Sequence, residues 1–198
     1  MVNFRPATPD DADFLVPLIN ESSGGVWPAV WKALAKEMEE TKVAGARYLS
    51  DTDNDLSIKN TVLVESEGMS IGAMTSYREK CISPSELAST PTLLPVELDK
   101  ALQPYRELCD PNSLFVAEIC FLPEARGKGL GTRLLQHAVN CAIEQKLPRV
   151  TLRVFSINTG ALRLYERFGF RIVDQRDVLP HPDIKVGGLV YSMAYNIV

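Results

Sequence analysis

The chain has 198 residues, of which 45% are hydrophobic and 23% are charged, and its formal net charge is −4. This length suits one domain of generous size, or one domain with an insertion, and the composition is that of an ordinary soluble globular protein. No basic excess or basic stripe is present, so a nucleic acid is not expected as a partner. No apolar stretch approaches the roughly 20 residues of a membrane span, so a membrane is not expected either.

The first elements read as a short strand followed by two helices. The strand is expected over residues 2–5, and Thr8-Pro9-Asp10-Asp11 is typical of a helix start. A second helix is expected from Trp27 to about Glu40. Its apolar face would consist of Val30, Trp31, Leu34 and Met38.

The middle of the chain reads as a hairpin followed by an irregular segment. Strand-like runs at 60–66 and 69–77 flank Glu67-Gly68, a pair typical of a hairpin turn. Residues 82–112 differ from the rest, because they contain five prolines and one expected helix near 96–108. We interpret this segment as an insertion within a single domain over residues 1–198, not as a second domain.

The C-terminal half alternates strongly apolar strands with helices. Gly169 stands where a C-terminal cap would end the second of these helices. The expected elements are strands at 113–122, 149–155, 170–177 and 189–196, and helices at about 132–145 and 159–168.

The cysteines and histidines give little support to a metal site. The four cysteines form no CxxC pair, and the only histidines are His137 and His181. Cys120 and Cys141 lie in apolar runs, which is typical of buried free thiols and fits a reducing compartment. Since the N-terminal residues lack the apolar region of a signal peptide, we expect a cytoplasmic protein.

Three glycines alternate at positions 127, 129 and 131, between an apolar strand and a helix. Glycine permits unusual backbone dihedrals and close approach of a ligand, and the free N–H groups of a helix start favour a phosphate. Arg126 and Lys128 add positive charge. This segment is therefore expected to bind a phosphate group.

Two common phosphate loops fit these glycines poorly. A Walker loop needs Ser or Thr after Gly-Lys, but Gly127-Lys128 is followed by Gly129. A dinucleotide fold needs GxGxxG directly after the first strand and an acidic residue about 20 positions further on. The spacing here is GxGxG, the loop comes late in the chain, and the next strand ends at Phe155-Ser156 without an acid. The dinucleotide reading is a weak runner-up.

At these residues the chain resembles the GNAT superfamily of N-acetyltransferases. The resemblance covers roughly residues 113 to 178. The motifs that carry it are Phe121-x-Pro123-x-x-Arg126-Gly127-x-Gly129-x-Gly131, then Asn158, then Leu164-Tyr165-Glu166-Arg167-Phe168-Gly169-Phe170. It implies an α/β fold with a central, mostly antiparallel sheet of about seven strands flanked by helices. It also implies a splay between the fourth and fifth strands, where acetyl-CoA would enter.

The resemblance implies a set of residues for acetyl-CoA. The backbone of Ile119, Cys120 and Phe121 would bind the pantetheine arm. Asn158 would contact the arm, or would cap the helix that begins at Thr159; the two roles are compatible. The pyrophosphate would be held by Arg126, Gly127, Lys128, Gly129, Leu130, Gly131 and Thr132.

Tyr165 matches the residue that in such proteins often protonates the departing thiolate. A phenol of pKa about 10 can supply that proton to a thiolate of pKa about 8.5. The alternative is a core role, because Tyr165 shares a helical face with Ala161, Leu164 and Phe168.

The general base is less clear from the sequence. Some relatives place a glutamate five residues ahead of the asparagine, but here that position is Arg153. Glu118 is the next candidate, since a carboxylate in an apolar strand is costly unless it is paired or functional. Strand alternation puts it on a different face from Ile119. Its alternative role is a buried salt bridge or a hydrogen bond across the sheet.

The expected activity is direct transfer of an acetyl group from acetyl-CoA to a primary amine, without a metal and without a covalent enzyme intermediate. The alternatives are a non-catalytic acyl-CoA-binding or sensing module and, less favoured, a nucleotide-dependent oxidoreductase. The acceptor remains open among a peptide N-terminus, a lysine, a polyamine, an aminoglycoside and an amino acid. Homodimers are common in similar proteins, and the oligomeric state is also left open.

Overall fold

One mixed sheet organises the part of the chain that this computed structural model describes, which is residues 2–82, 86 and 92–197. Its strands within that part are β1 (Val2–Pro6), β2 (Thr61–Ser66), β3 (Met69–Arg78), β4 (Ser113–Phe121), β5 (Arg149–Phe155), β6 (Arg171–Asp177) and β7 (Leu189–Asn196). The spatial order is β1-β2-β3-β4-β5-β7-β6. Neighbours are antiparallel, except that β4 and β5 are parallel. The expected fold class is confirmed.

The parallel pair in the centre of the sheet opens into a splay. β4 and β5 pair from Ser113 opposite Arg149 to Val116 opposite Leu152, and their pairing ends there. Both strands continue beyond this point, β4 to Phe121 and β5 to Phe155. The outer part of β4 therefore has no strand partner on its β5 side.

Helices cover both faces of the sheet and enclose two apolar clusters. One cluster joins the first four helices to the sheet, and the other joins the helices that follow β4 and β5. No helix in the described residues is long and apolar enough to cross a membrane. The helices are α1 (Ala12–Ser22), α2 (Val26–Leu34), α3 (Thr41–Ser50), α4 (Val96–Glu107), α5 (Leu130–Glu144) and α6 (Thr159–Phe168).

The segment after Trp27 differs from the sequence expectation. The expected single helix to about Glu40 is wrong, because α2 ends at Leu34 and α3 follows after a turn. The Arg47 guanidinium holds this turn, donating to the Leu34 carbonyl at 2.9 Å and to the Glu39 carboxylate at 2.9 Å. Met38, expected on the apolar face, is 97% exposed.

We expect Gly45→Ala to destabilise the protein, although alanine is the better helix former by about 1 kcal/mol. A Cβ at Gly45 would lie 2.7 and 2.8 Å from ring atoms of Trp31, a fully buried side chain. Overpacking of this kind costs about 1–3 kcal/mol. A lower melting temperature and a lower urea midpoint than those of the parent would confirm the overlap. An unchanged or higher midpoint would show that Trp31 can move.

The expected insertion is tied to the sheet at both ends. A disulfide joins Cys81, just after β3, to Cys109, just after α4, with the two Cα atoms 5.6 Å apart. Residues 83–85 and 87–91 of the insertion lie outside the described part. Cys120 is a buried free thiol as expected, whereas the free thiol of Cys141 is half-buried. Disulfides are rare in reducing compartments, so the cysteines no longer support a cytoplasmic location, which stays a prediction.

Candidate active site

A cavity of about 850 Å³ lies at the splay between β4 and β5. The start of α5 and one face of α6 line one end of it. The α1–α2 connection, α4 and the ends of β4 and β5 line the rest. The place where the pairing of the two strands ends is thus also the site of this cavity.

The cavity brings together every site residue expected from the sequence except one. Lys128 is exposed in the loop and is not part of the cavity wall, so its side chain does not point into this site. The expected residues that do line the cavity are Glu118, Ile119, Cys120, Phe121, Arg126, Gly127, Gly129, Leu130, Gly131, Thr132, Asn158 and Tyr165.

The glycine loop has the backbone geometry of an anion site. Gly127 and Gly129 take φ angles of 72° and 78°, in the left-handed region that favours glycine. A Cβ at either position would meet nothing within 4 Å, so open space lies beside both. Gly129 caps α5 without any side-chain hydrogen bond, so the first N–H groups of this 15-residue helix face the loop.

Two other loop residues have structural roles that the sequence did not reveal. A Cβ on Gly131 would lie 2.7 Å from Leu164 Cδ2, so this glycine allows α5 and α6 to approach each other. Arg126 donates through Nε to the Phe121 carbonyl at 3.0 Å and through Nη2 to Glu21 at 2.7 Å. The arginine therefore fastens the loop to the end of β4 and to α1.

Asn158 is the cap of α6. Its Oδ1 accepts the Ala161 N–H at 3.1 Å, as the capping alternative predicts. The same residue also lines the cavity. A contact to the pantetheine arm stays a prediction.

Glu118 lies on β4 in the middle of the cavity wall and is held by two donors. Trp27 Nε1–H donates to one carboxylate oxygen at 2.8 Å, and Ser22 Oγ–H donates to the other at 3.0 Å. No salt bridge to Glu118 occurs in the described residues. Burial raises the pKa of Glu118 to about 7, although both hydrogen bonds act to lower it. A carboxyl with this pKa can exchange a proton near neutral pH.

A bulge in β4 sets the direction of the Glu118 side chain. Thr75 of β3 pairs with Glu118 but the next residue, Ser76, pairs with Val116, so Ala117 is the extra residue. The extra residue shifts the strand alternation, as β-bulges do. Ile119 packs against the α5 and α6 side, while Glu118 meets Ser22 and Trp27 on the opposite face. The expected difference in face is confirmed.

Tyr165 is half-buried on α6 and lines the same cavity as Glu118. Its ring also packs against Phe170, with the centroids 6.0 Å apart. Burial raises the pKa of Tyr165 well above 10, and the charges of Glu118 and Cys120 raise it further. The phenol is therefore protonated at neutral pH, and the core contact and the cavity position coexist.

Arg153, at the position where an acid was sought, forms a buried ion pair with Glu79 at the end of β3. Its Nη2 also donates to the Leu108 carbonyl at 3.1 Å, and its guanidinium stacks over the Phe115 ring at 4.3 Å. Burial raises the pKa of Glu79, and the charge of Arg153 opposes that rise. Sequence reasoning missed Glu79, because the pair joins residues 74 positions apart.

Comparison with known proteins agrees with this fold. The family model described as the acetyltransferase (GNAT) family matches residues 93–170.

Within the described residues, no group of three or more His, Cys, Asp and Glu side chains could hold a metal ion. The absence of a metal from the reaction stays an expectation.

Individual proteins show the same similarity. A mycothiol acetyltransferase of Acidimicrobium ferrooxidans is 43% identical over 56 residues, which is 28% of this chain but only 18% of that protein. The crystal structure of an N-acetyltransferase from Staphylococcus aureus Mu50 aligns with a TM-score of 0.61 at 18% identity, covering 98% of this chain and all of that one. Arabidopsis thaliana Naa50, solved with the bisubstrate analogue CoA-Ac-MVNAL, aligns at 0.57 and 16% identity, covering 99% of both chains.

At these identities the solved structures establish the fold. Together with the family match, they confirm the resemblance to the GNAT superfamily that the motifs between Phe121 and Phe170 indicate. The chain carries a GNAT fold with its sheet open at the β4–β5 splay.

Proposed function

We propose that this chain is an N-acetyltransferase that moves the acetyl group of acetyl-CoA to a primary amine by direct attack in a ternary complex. One observation carries the proposal: a single cavity joins an anion-binding loop to a carboxyl and a phenol. The cavity thus combines a place for a phosphate with two groups that can exchange protons. Direct acyl transfer to an amine needs both.

Acetyl-CoA fits the residues at the loop end of the cavity. The helix N–H groups behind Gly127 and Gly129 suit the pyrophosphate, and the open space at both glycines leaves room for it. The outer part of β4, over Ile119 to Phe121, has a free edge on the β5 side. An extended arm that carries amides can pair with such an edge.

Glu118 and Tyr165 serve the proton transfers of the reaction. Glu118 takes a proton from the substrate ammonium, directly or through water, so that the amine can attack the thioester carbonyl. A backbone N–H on the free edge of β4 stabilises the oxyanion that develops there. Tyr165 gives its proton to the departing thiolate as the C–S bond breaks, and its phenolate regains a proton, directly or through water, as the nitrogen of the new amide gives up its second one.

The environment of Cys120 supports direct attack over an acyl-enzyme. Burial raises the pKa of this thiol well above its usual value, and its Sγ–H points to the Ala73 carbonyl at 3.8 Å. A buried, protonated thiol is a poor nucleophile. We therefore expect both substrates to be bound before any acetyl transfer occurs.

The proposal is tested by following free thiol release from acetyl-CoA in the presence of a panel of amines, with mass spectrometry of the product. Amine-dependent thiol release and a product heavier by one acetyl group are expected. Stabilisation by CoA without transfer to any amine would favour the non-catalytic binding module. Stabilisation by NAD(P)H and not by CoA would overturn the proposal.

Gly129→Ala should weaken acetyl-CoA binding more than it weakens the fold. The new Cβ would stand in the open space at the cap of α5 and would strain a φ of 78°. Loss of one or two charge-assisted hydrogen bonds to phosphate predicts a KM for acetyl-CoA about 10-fold or more higher. The readouts are that KM and the shift of the melting temperature by CoA.

Gly68→Ala is the matched control for this variant. Gly68 has a φ of 79°, a Cβ added there would also meet nothing within 4 Å, and the residue lies in the β2–β3 turn outside the cavity. Both variants carry similar backbone strain, so their melting temperatures without ligand should fall alike. If CoA protects both equally well, the loop is not the phosphate site.

A further inference from the structure

The end of the cavity beyond Glu118 is built partly by the insertion. The last turn of α4 lies against the end of β5, where the Tyr105 ring packs edge-on against Phe155 at 5.8 Å. The Leu108 carbonyl accepts the hydrogen bond from Arg153. Since the loop and α6 occupy the opposite end, this wall faces the acceptor that the proposed function requires.

We call the end of the cavity beyond Glu118 the acceptor wall. It carries two charged side chains, and both are arginines. Arg153 stands on β5 and Arg106 on α4, and both line the cavity. The carboxylates that line the cavity among the described residues are Glu21, which pairs with Arg126, and Glu118. The partners of the two wall arginines, Glu79 and Asp99, are not part of the cavity wall.

The two arginines are held in the same way. Each uses only Nη2 for hydrogen bonds to described residues: Arg153 to Glu79 and the Leu108 carbonyl, and Arg106 to the Asp99 carboxylate and carbonyl. Their remaining N–H groups make no hydrogen bond within the described part of the chain. Each guanidinium is thus fixed by its ion pair and keeps donors for a ligand.

The Tyr105 hydroxyl adds a further donor to this wall. Arg153 Nε and the Tyr105 hydroxyl are both buried and have no hydrogen-bond partner among the described residues. Burial also raises the pKa of Tyr105 to about 12, so its hydroxyl remains a donor at neutral pH. Buried donors without acceptors are costly, so a ligand that brings acceptor oxygens gains from meeting them.

We propose that the acceptor is an amine that also carries a carboxylate, with its amine at Glu118 and its carboxylate at Arg106 and Arg153. This proposal rests on the proposed function and narrows it to a substrate class. A guanidinium matches the two oxygens of a carboxylate in a planar pair of hydrogen bonds. The apolar lining between the two ends, which includes Phe115, Phe155 and Val190, suits the carbon skeleton between the two groups.

The same wall selects against other amines. A polyamine or an aminoglycoside carries several positive charges, and its second cation would meet two guanidinium groups. The carboxylates that line the cavity among the described residues are Glu118, which receives the reacting amine, and Glu21, which pairs with Arg126. Like charges at such a surface disfavour the wrong partner. The insertion thereby acquires a role in selecting the acceptor.

The test compares each amino acid with its own carboxamide as acceptor. Glycine, β-alanine and phenylalanine, their three carboxamides and spermidine are assayed at saturating acetyl-CoA. The carboxylate members should show kcat/KM values about 10- to 100-fold above their carboxamides, because the lost contacts are charge-assisted hydrogen bonds. The amines of the carboxamides are less basic, so a larger fraction of them is unprotonated near neutral pH. Amine reactivity alone would therefore favour the carboxamides over the carboxylates.

Arg106→Gln and Arg153→Lys attribute the preference to the wall. Arg106 is partly exposed, and lysine at position 153 keeps a cation beside Glu79, so both variants are designed to fold. Each should lose about 10- to 100-fold in kcat/KM with carboxylate acceptors but not with carboxamides, and the KM for acetyl-CoA should not change. Arg176→Gln is the control, since this arginine is partly exposed like Arg106 and pairs with Glu107 and Asp174 outside the cavity.

The outcomes separate the two proposals. Transfer to carboxamides or to spermidine that equals or exceeds transfer to the carboxylates overturns the substrate class and leaves the acetyltransferase proposal standing. A carboxylate preference that survives both arginine variants also overturns it. Absence of transfer to every amine, in this set and in the broader panel, overturns the proposed function itself.

Discussion

Glu118→Gln is expected to lower kcat/KM for amine acetylation by about 100-fold or more, the usual contribution of a general base. Glutamine keeps the size of the side chain, and its amide oxygen can still accept the Trp27 hydrogen bond while its NH2 group donates to Ser22 Oγ, but it cannot take a proton. The steady-state rate with the best acceptor of the panel is the measurement. A variant with nearly the parent rate would show that Glu118 is not the base.

The pH profile gives a second, sharper readout. With a pKa raised to about 7 by burial, Glu118 is protonated below neutral pH and cannot act as a base. The rate of the parent should therefore fall as the pH drops through about 7, and Glu118→Gln should lack this limb. An accepted amine with a pKa near 10 is the right substrate, because its own titration then lies well above this range.

The two donors to Glu118 offer a graded test of the same assignment. Trp27 donates to the carboxylate at 2.8 Å and thereby lowers the pKa of Glu118. Trp27→Phe should move the acidic limb to higher pH, in contrast to its disappearance in Glu118→Gln. A purely structural role of Trp27 would lower the rate at all pH values and leave the limb in place.

A loss of stability should not explain the lower kcat/KM of Glu118→Gln. The pKa of Glu118 in the folded chain lies above the ordinary value of 4.5, so the folded state binds its proton more tightly than the unfolded state. The contribution of this protonation to the free energy of unfolding is complete below the pKa of Glu118 in the unfolded chain, and it is lost as the pH rises through about 7. At alkaline pH the neutral glutamine should melt no lower than the parent.

Local sequence patterns predicted the part of the site that consecutive residues form, namely the strand, the glycine loop and the helix after it. The run from Ser113 to Phe121 is apolar enough to read as a buried strand, and the alternating glycines after it mark the turn into α5. Both the backbone geometry of the turn and the room that a phosphate needs restrict such a segment to few residue types. The strand, the loop and the helix were therefore expected within two residues of their observed bounds.

The remainder of the site depends on contacts that no local pattern records. The partners of Glu118 come from 91 and 96 residues away, and Arg153 meets Glu79 across 74 residues. The bulge at Ala117 is also invisible in sequence, because it exists only relative to the pairing with β3. Helix α3 was missed for another reason: TKVAGARYLS contains a glycine and only two large aliphatic residues, Val43 and Leu49, and its packing on Trp31 stabilises it.

Tyr165→Phe is expected to lower kcat by about 100-fold while leaving the KM for acetyl-CoA nearly unchanged. The hydroxyl makes no hydrogen bond to the described residues, so its removal breaks no contact of the fold. The ring contact with Phe170 is kept by phenylalanine. Only the proton for the departing thiolate is lost. A solvent deuterium isotope effect on kcat that is present in the parent and reduced in the variant would report that transfer.

Tyr195→Phe is the matched control for this loss. Tyr195 is also half-buried and packs its ring at a tilt against Phe168 and Phe170. It makes no hydrogen bond to the described residues and lies outside the cavity. Its variant should keep the parent kcat and isotope effect. Because burial and the charge of Glu118 hold the pKa of Tyr165 above 10, ionisation of this phenol should not limit the rate of the parent near neutral pH. If Tyr165→Phe retains the parent kcat, the thiolate leaves without this acid, and Tyr165 serves the cavity only by its shape.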